Sequence, residues 1–308
     1  MSRASAPGKI ILFGEHAVVY GRPALAVPVT QVHADVDVVV SPRSGIWIEA
    51  PDVNLHAELN TLPSDHPIAS VIHNFLFLSR LSRFPNLEIK IVSTIPVASG
   101  LGSGAAVTVA LTRALVAHLN HAMTEEEVNA FAYEIEKLHH GTPSGIDNTV
   151  VTYARPVYFV KEQPIETFKV GKPFTILIAD TGISAPTKES VGDVRRLWMN
   201  DRSRWETVFD KIGEISFTAR RAIEAGKPEL LGDLMNENHA VLKALTVSSP
   251  ELDQLVEAAL NAGALGAKLS GGGRGGNIIA LVEPEEAKAI SLVLKEAKAK
   301  NTIITQVS

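Results

Sequence analysis

The chain has 308 residues, of which 45% are hydrophobic and 20% charged, so it can form one large globular domain or two ordinary ones. Its 29 Lys and Arg against 34 Asp and Glu give a formal net charge of −5, which disfavours nucleic acid or an anionic membrane as a partner. The absence of Cys excludes disulfides, Cys-ligated zinc and thiol catalysis. With no signal peptide pattern and no apolar stretch of about 18 residues, we expect a cytoplasmic protein without a membrane span.

The first third of the chain predicts strands. An apolar run at 10–13 enters Gly14, and apolar residues at alternate positions over 32–40 have the period of a half-buried strand. Residues 41–67 are rich in loop formers, with one further strand predicted around 46–48. The alternation at 87–91 predicts a strand, and apolar residues spaced four apart over 107–119 predict a helix.

Helices dominate the rest of the prediction. Thr124 and Glu127 form a capping box, which predicts a helix as far as Leu138. Further helices are predicted at 187–197, 205–225, 228–245, 251–261 and 284–298, and strands at 158–160, 174–179, 267–269, 277–282 and 303–307. This is an α+β pattern, and we place a domain boundary at residue 160, giving domains 1–160 and 161–308.

A first glycine loop, residues 99–105, joins a predicted strand to a predicted helix. The N–H groups of such a turn and the positive end of a helix dipole suit a phosphate, and the Ser103 hydroxyl can add a donor or a metal ligand. A tight turn without a ligand is the alternative. The chain lacks the pattern G-x-x-x-x-G-K-[ST], so a P-loop nucleotidase is not indicated.

A second glycine loop, residues 271–276, formally fits the dinucleotide-binding pattern G-x-G-x-x-G. A strand is predicted directly after it, where that fingerprint requires a helix, so a dehydrogenase is not indicated. Five glycines in six residues indicate a backbone pressed against a ligand or another loop, with a glycine hairpin as the alternative.

Two groups of ionisable residues are candidates for catalysis. Lys9 lies at the start of a predicted apolar strand, and Glu15 and His16 follow the end of that strand. The alternative interpretation is that all three are solvated charges at the edge of a strand. Glu136 on a helix and Asp147 on a loop could converge, dividing metal binding and base duty. A solvated helix position and an Asx turn are their alternatives.

Two other clusters are interpreted as structural. His139 and His140 are expected to serve packing or capping. The arginines at 195, 196, 202 and 204 lie near two tryptophans, but interleaved acidic residues favour a solvated helix face over an RNA-stacking surface.

Four segments occur in order across nearly the whole chain: Ala-Pro-Gly-Lys through Gly-Glu-His-Ala-Val-Val-Tyr-Gly at 6–21, Pro-Val-Ala-Ser-Gly-Leu-Gly-Ser at 96–103, His-Gly-Thr-Pro-Ser-Gly-Ile-Asp-Asn at 140–148, and Lys-Leu-Ser-Gly-Gly-Gly at 268–273. Together they resemble the GHMP small-molecule kinases. Residues 17–21 and the segment Leu-Met-Asn-Glu-Asn-His at 234–239 are most similar to the mevalonate kinase branch, whereas galactokinases usually continue Gly-Glu-His with Thr-Asp.

The resemblance implies a two-domain α+β GHMP kinase fold with the active site in the cleft between the domains. It implies ATP- and Mg²⁺-dependent phosphorylation of the C5 hydroxyl of mevalonate, a step of isoprenoid biosynthesis, and it suggests a homodimer. By motif, Asp147 is the catalytic aspartate and Lys9 pairs with it and the reacting hydroxyl. Glu136, with Ser103, binds Mg²⁺.

The remaining assignments also follow from the resemblance. Glu15 and His16 match the substrate-side pair, beside Lys9 and Asp147. Thr187 is a further candidate without an assigned role. The residues that match the ATP-binding motif are Pro96, Ser99, Gly100, Leu101, Gly102, Ser103, Gly104 and Ala105.

The chain departs from the family pattern on both glycine loops. Gly104 replaces a serine that helps hold Mg²⁺ and phosphate in the family, which puts metal affinity in doubt. Arg274 stands where the family has glycine. It is expected either to bring compensating charge to a phosphate, so that Arg274→Gly raises the KM for ATP, or to point to solvent.

Three alternative functions stay open at this point. One is a relative acting on phosphomevalonate or another small alcohol. Another is a kinase of the mevalonate 3-hydroxyl. The third is a nucleotide-binding relative that has lost catalysis, against which the retention of Lys9, Glu136 and Asp147 argues.

Overall fold

The computed structural model describes residues 1–81, 85–96, 99–140, 143–164, 166–184 and 187–308, with the backbone only at 140, 187 and 188. These residues form two compact units. The first comprises Met1–Gly8, Val32–Val97 and Leu101–Ala154, and the second Lys9–Gln31, Ala98–Gly100 and Arg155–Ser308. The domain boundary at residue 160 stays a prediction.

Two long strands, β1 (Ser2–Phe13) and β2 (Ala24–Val40), pair with each other and contribute residues to both units. In the first unit, β2 belongs to a sheet with β3 (Ile46–Ala50), β4 (Leu55–Glu58) and β5 (Leu87–Ser93), in the order β4-β3-β5-β2. β3 and β5 are parallel and the other neighbours are antiparallel. The alternating apolar residues of β2 are buried from Val32 to Val38, as their period predicts, whereas Val40 at the end of the strand is exposed.

The helices of the first unit are α1 (Pro67–Ser79), α2 (Ser103–Leu119), α3 (Glu125–His140) and α4 (Ile146–Tyr153). α2 packs on β5 and against the other three helices. Its small and apolar residues are therefore buried on most sides. The predicted capping box begins α3: the Glu127 N–H donates to Thr124 Oγ1 at 3.2 Å, and the Thr124 N–H donates to Glu127 Oε2 at 2.7 Å.

The second unit has an antiparallel sheet in the order β11-β8-β10-β9. The short strand β6 (Val157–Phe159) pairs with the N-terminal part of β2, and β7 (Glu166–Thr167) pairs with β6. The sheet strands are β8 (Phe174–Asp180), β9 (Gly266–Ser270), β10 (Asn277–Val282) and β11 (Asn301–Val307). The helices are α5 (Thr187–Asn200), α6 (Arg202–Glu224), α7 (Leu231–Ala244), α8 (Pro250–Asn261) and α9 (Ala287–Glu296).

The core of the second unit lies on the central strands. Every residue of β10 is buried, as are all but the last of β8, because helices pack on this sheet: α8 on β9 and β10, α7 on β9, and α9 on β8 and β11. Phe209 of α6, Leu252 of α8 and Ile290 of α9 are fully buried in the same hydrophobic cluster. This rigid sheet carries the second glycine loop between β9 and β10.

The α+β class predicted from the sequence is confirmed, with several differences in detail. α1 and β4 lie in stretches for which no helix or strand was predicted. The helix predicted at 228–245 begins with a 3₁₀ turn, Pro228–Leu230. No helix in the described ranges combines the length and apolarity that a membrane crossing requires.

Candidate active site

The three ionisable residues singled out in this part of the chain are buried, Lys9 inside β1 and Glu15 and His16 in the turn that follows it. Lys9 is 4% exposed, Glu15 1% and His16 5%, so the alternative of a solvated strand edge is wrong. Gly14 makes the turn possible, since its φ is +98° and a Cβ there would lie 2.4 Å from Ala24 Cα. Charged groups buried this deeply need partners or a function.

Glu15 finds its partner in Lys268 of β9, a lysine that is itself fully buried. The Lys268 Nζ donates to a Glu15 carboxylate oxygen and to the Leu269 carbonyl at 2.7 Å, and lies 5.8 Å from the Phe13 ring centre. Burial lowers the pKa of Lys268, and the adjacent Glu15 opposes that effect. The second oxygen, Glu15 Oε2, is buried and has no hydrogen-bond partner among the described residues.

His16 lies against the second glycine loop. Its backbone φ is +62°, and its Nε2 is 3.1 Å from the Gly272 carbonyl. A carbonyl only accepts, so Nε2 carries the hydrogen and Nδ1 keeps a lone pair. Burial, with smaller effects of Arg274 and Lys268, lowers the pKa of His16 to about 4, so the ring is neutral at pH 7. Within the described part of the chain Nδ1 is buried and unpartnered, so its acceptor lone pair is unused.

The second glycine loop uses its glycines in two ways. At Gly273 a Cβ would lie 1.9 Å from the Val247 carbonyl oxygen, and at Gly275 it would lie 2.5 Å from that of Ile183. These two glycines allow the loop to press against other backbone, which confirms the predicted contact with another loop. The loop also joins the antiparallel strands β9 and β10, so the alternative of a glycine hairpin is equally correct. Gly271 and Gly276 also have positive φ, but a Cβ at either would meet nothing within 4 Å.

Arg274 is not directed simply to solvent. Its guanidinium pairs with the Asp193 carboxylate of α5, and its Nε donates to the Thr246 carbonyl at 3.4 Å. Its backbone N–H donates to the Val247 carbonyl at 2.8 Å. The Asp193 carboxylate also pairs with Arg196. The expected role of Arg274 as a phosphate ligand stays a prediction. The observed contacts of its side chain are with Asp193 of α5 and the Thr246 carbonyl.

The start of the first glycine loop lies beside the second loop, within the second unit. The Asn277 side-chain amide, directly after the second loop, donates to the Ser99 carbonyl. A Cβ at Gly100, whose φ is +76°, would lie 3.7 Å from the Asn277 amide nitrogen. Ser270, just before the second loop, donates to the Ile11 carbonyl of β1 at 2.8 Å. One unit thus gathers the β1 turn, Ser99-Gly100 and the second loop.

The rest of the first loop begins α2 in the first unit. Gly102, with φ +74°, precedes the helix, and Ser103 and Gly104 lie in its first turn, where N–H groups lack intrahelical partners. A Cβ at Gly104 would lie 3.7 Å from Glu136 Oε1, in ordinary contact. The predicted metal-binding carboxylate therefore lies next to the helix end predicted to bind phosphate. Residues 97 and 98 lie outside the described residues.

This corner suits Mg²⁺. In the described ranges no three His, Asp or Glu side chains group as a metal centre. Mg²⁺ does not require one, because it keeps several waters and is usually bound through one or two carboxylates together with nucleotide phosphates. The Glu136 carboxylate and the Ser103 hydroxyl are oxygen ligands of the right type. The residues present fit the ion.

Asp147 lies in the first turn of α4, so the prediction that it stands on a loop was wrong. Gly145, with φ +88°, lets the chain turn into this helix. The Asn148 amide donates to Asn129 Oδ1 of α3 at 2.7 Å, and Thr149 Oγ1 donates to the Gly145 carbonyl at 2.6 Å. Asp147 is thereby fixed on a helix anchored to the one that carries Glu136. Residues 141 and 142 of this motif lie outside the described residues.

Comparisons with known proteins agree with the motifs. The family model for the GHMP kinases N terminal domain matches residues 68–155, and that for the GHMP kinases C terminal matches 219–300. Mevalonate kinase of Pyrococcus abyssi is 36% identical, over 99% of this chain and 95% of its own length. That of Thermococcus sibiricus is 35% identical, over 99% and 96%. The chain belongs to the mevalonate kinase family of GHMP kinases.

A solved structure extends the likeness to the fold. The L. major mevalonate kinase in complex with R-mevalonate superposes with a TM-score of 0.87 and 29% sequence identity, covering 100% of this chain and 96% of that one. The predicted α+β GHMP kinase fold is confirmed. As a member of this family, the chain is an ATP-dependent small-molecule kinase.

The two clusters interpreted as structural have ordinary contacts where the structure describes them, and the prediction for the His140 side chain lies outside the described residues. His139 Nε2 lies 2.9 Å from Ser70 Oγ, which agrees with a packing role. The arginines of α5 and α6 contact nearby acidic and aromatic side chains: Arg196 pairs with Asp193, Arg202 lies over Trp198, and Arg204 lies over Trp205. These contacts agree with a solvated helix face.

Sequence reasoning missed several residues that support the site. His239 of α7 accepts the Leu269 N–H on Nδ1 at 3.3 Å, and its Nε2 lies 3.2 Å from Asp253. Leu269 is thus held at its N–H by His239 and at its carbonyl by Lys268. The motifs at 234–239 and 268–273 include His239 and Lys268, but neither residue was assigned a role.

We predict that acid weakens the fold through the two buried histidines. Burial lowers the pKa of both His16 and His239 from 6.5 to about 4. Between these values the unfolded chain binds more protons, so stability is lost as pH falls from about 6.5 to about 4, by about 3 kcal/mol through His16. Urea unfolding measured across this range should show the loss.

The variant His16→Gln is the matched control, because its amide can still donate to the Gly272 carbonyl but does not titrate. On acidification from about pH 6.5 to about pH 4, the free energy of unfolding of this variant should fall by about 3 kcal/mol less than that of the wild type. An equal pH dependence in both proteins would contradict the account of His16.

Proposed function

We propose that the chain transfers the γ-phosphoryl group of ATP to the C5 hydroxyl of mevalonate, giving 5-phosphomevalonate and ADP. The observation that supports this best is His16, a buried neutral ring in the Gly-Glu-His segment whose Nδ1 lacks a partner among the described residues. A neutral acceptor suits a substrate hydroxyl. It offers no charge to a phosphate, which favours mevalonate over phosphomevalonate.

Asp147 and Lys9 carry the chemistry in this proposal. The Asp147 carboxylate accepts the proton of the C5 hydroxyl as that oxygen forms a bond to the γ-phosphorus. The bond from this phosphorus to the bridging oxygen breaks, and ADP leaves with the electron pair. The Lys9 ammonium stabilises the negative charge that develops on the alcohol oxygen.

Glu15 and His16 hold mevalonate on the substrate side. His16 accepts a hydroxyl on Nδ1, and Glu15, fixed by Lys268, offers Oε2 as a second acceptor. Because both side chains are buried before substrate arrives, little ordering is required on binding. Thr187, the first residue of α5, stays a candidate without an assigned role.

The first glycine loop binds ATP in this proposal. The N–H groups of Gly100, Gly102, Ser103, Gly104 and Ala105 and the positive end of the α2 dipole suit its phosphates, with Pro96, Ser99 and Leu101 shaping the loop. Glu136 and Ser103 would hold Mg²⁺, which when bound neutralises charge on the β- and γ-phosphates. A homodimer stays a prediction of the resemblance, and a cytoplasmic location stays a prediction from the sequence pattern.

We predict that Gly104→Ser strengthens Mg²⁺ use. A Cβ at this position is in ordinary contact with Glu136 Oε1, so a serine side chain fits and its hydroxyl adds an oxygen ligand. The Mg²⁺ concentration for half-maximal activity should fall about threefold, as expected for one added hydrogen-bonding or ligand group. Gly104→Ala is the control, and an equal fall in that variant would show that the hydroxyl is not responsible.

A substrate panel tests the proposed function. ADP release would be followed with purified protein, ATP and Mg²⁺ against mevalonate, phosphomevalonate, homoserine and galactose. We expect turnover of mevalonate and little of the others. Preference for phosphomevalonate would favour a later kinase of the same family, and ATP binding without turnover of any of the four would favour a nucleotide-binding protein that has lost catalysis.

A further inference from the structure

Arg274 occupies a backbone position that favours glycine. Its φ is +60°, and it stands between Gly273 and Gly275, which also have positive φ. A glycine would adopt this conformation at lower cost. The contacts of the arginine side chain can offset this cost.

Those contacts connect Arg274 to two other elements. The guanidinium pairs with Asp193 of α5 and donates to the Thr246 carbonyl, which lies just beyond α7. The Arg274 N–H donates to the neighbouring Val247 carbonyl at 2.8 Å. Backbone and side chain together fasten this edge of the second glycine loop.

The opposite edge of the loop is fastened to the segment that leads into α5. The Gly276 N–H donates to the Ile183 carbonyl and the Thr181 N–H to the Gly276 carbonyl, each at 2.9 Å. α5 is thus linked to the loop twice, through the segment before it and through the Asp193 side chain.

The loop in turn holds His16. The acceptor of the His16 Nε2 hydrogen is the Gly272 carbonyl, two residues before Arg274. Any movement of the loop at Arg274 displaces this carbonyl. The hydrogen bond determines which ring nitrogen keeps the lone pair, so the loop position controls whether Nδ1 can accept.

We propose that Arg274 is a positioning residue for mevalonate: paired with Asp193, it fixes the second glycine loop so that Gly272 holds His16 with Nδ1 available to the substrate. This rests on the proposed function. It replaces the expectation that Arg274 is a direct phosphate ligand. The Arg274 guanidinium is already engaged by Asp193, a partly buried carboxylate that also pairs with Arg196.

Steady-state kinetics separate the two roles. Arg274→Gly and Asp193→Asn should each raise the KM for mevalonate about fivefold and leave the KM for ATP within about twofold of the wild-type value. The KM for mevalonate of the double variant should be no higher than that of either single variant, because the effects of substituting two residues in contact do not add. Arg274→Lys, which keeps the charge, should restore most of the affinity. Arg196→Gln, which removes only the exposed partner of Asp193, should match the wild type.

A rise in the KM for ATP alone in Arg274→Gly, or additive effects of the two substitutions, would overturn the proposal. Nitrogen-15 spectra of the histidines in the ligand-free protein test it without turnover, with His16→Gln identifying the signal. We expect the Nε2–H form of His16 in the wild type and a larger share of the other tautomer in Arg274→Gly and Asp193→Asn. An unchanged tautomer in both would also overturn it, whereas absence of wild-type mevalonate turnover would count against the proposed function alone.

Discussion

Asp147→Asn is expected to lower kcat by about 100-fold or more, because the amide cannot accept the proton of the alcohol. The substitution preserves size and leaves the anchoring of α4 through Asn148 and Thr149 untouched. Binding of both substrates should change little. Single-turnover phosphoryl transfer, with binding of each substrate measured separately, checks the prediction.

Glu134→Gln is the matched control for this substitution. It removes an exposed α3 carboxylate that pairs only with the surface residue Lys137 among the contacts described. It should leave kcat unchanged. Near-normal turnover of folded Asp147→Asn would show that Asp147 is not the general base and that another carboxylate accepts the proton.

Lys268→Met is expected to lower the free energy of unfolding by about 3–5 kcal/mol, the usual cost of leaving one charge of a buried pair uncompensated. Lys268 is fully buried and Glu15 is 1% exposed, so water cannot replace the lost ammonium. The Leu269 carbonyl would also lose a donor. Urea denaturation at pH 7 measures the loss.

The double variant Lys268→Met with Glu15→Gln separates charge from packing. With both charges removed, much of the stability should return, because a neutral buried pair carries no uncompensated charge. Mevalonate turnover should stay low, since Glu15 is proposed to hold the substrate. A single Lys268→Met variant as stable as the wild type would contradict the importance of the pair.

Local sequence patterns were sufficient to predict an element when the burial of its residues follows a simple period or its ends carry a capping motif. The valines of β2, the capping box of α3 and the strand–loop–helix order around the first glycine loop could all be predicted. The family motifs also marked Lys9, Glu15, Glu136 and Asp147 as candidates. These features depend on neighbours in sequence, which local propensity and periodicity describe well.

Other elements could not be predicted, because tertiary contacts decide them. α1 exposes Phe77, at 86%, and Leu78, at 46%, so its sequence lacks the polar face that marks an amphipathic helix. α4 is short and follows a turn-forming stretch, which concealed the helical position of Asp147. The partners of Lys268 and Arg274 are 253 and 81 residues away in sequence, beyond the range of any spacing rule.

The most direct test of the account is to identify the product formed from ATP and mevalonate by phosphorus NMR. Phosphate on the C5 oxygen couples to the two C5 hydrogens and gives a triplet, whereas phosphate on the C3 oxygen has no hydrogen on the attached carbon and gives a singlet. We predict the triplet, formed with one ADP per product and about 100-fold or more slowly with Asp147→Asn. A singlet, or ADP without a phosphorylated product, would contradict the assignment as a kinase of the C5 hydroxyl.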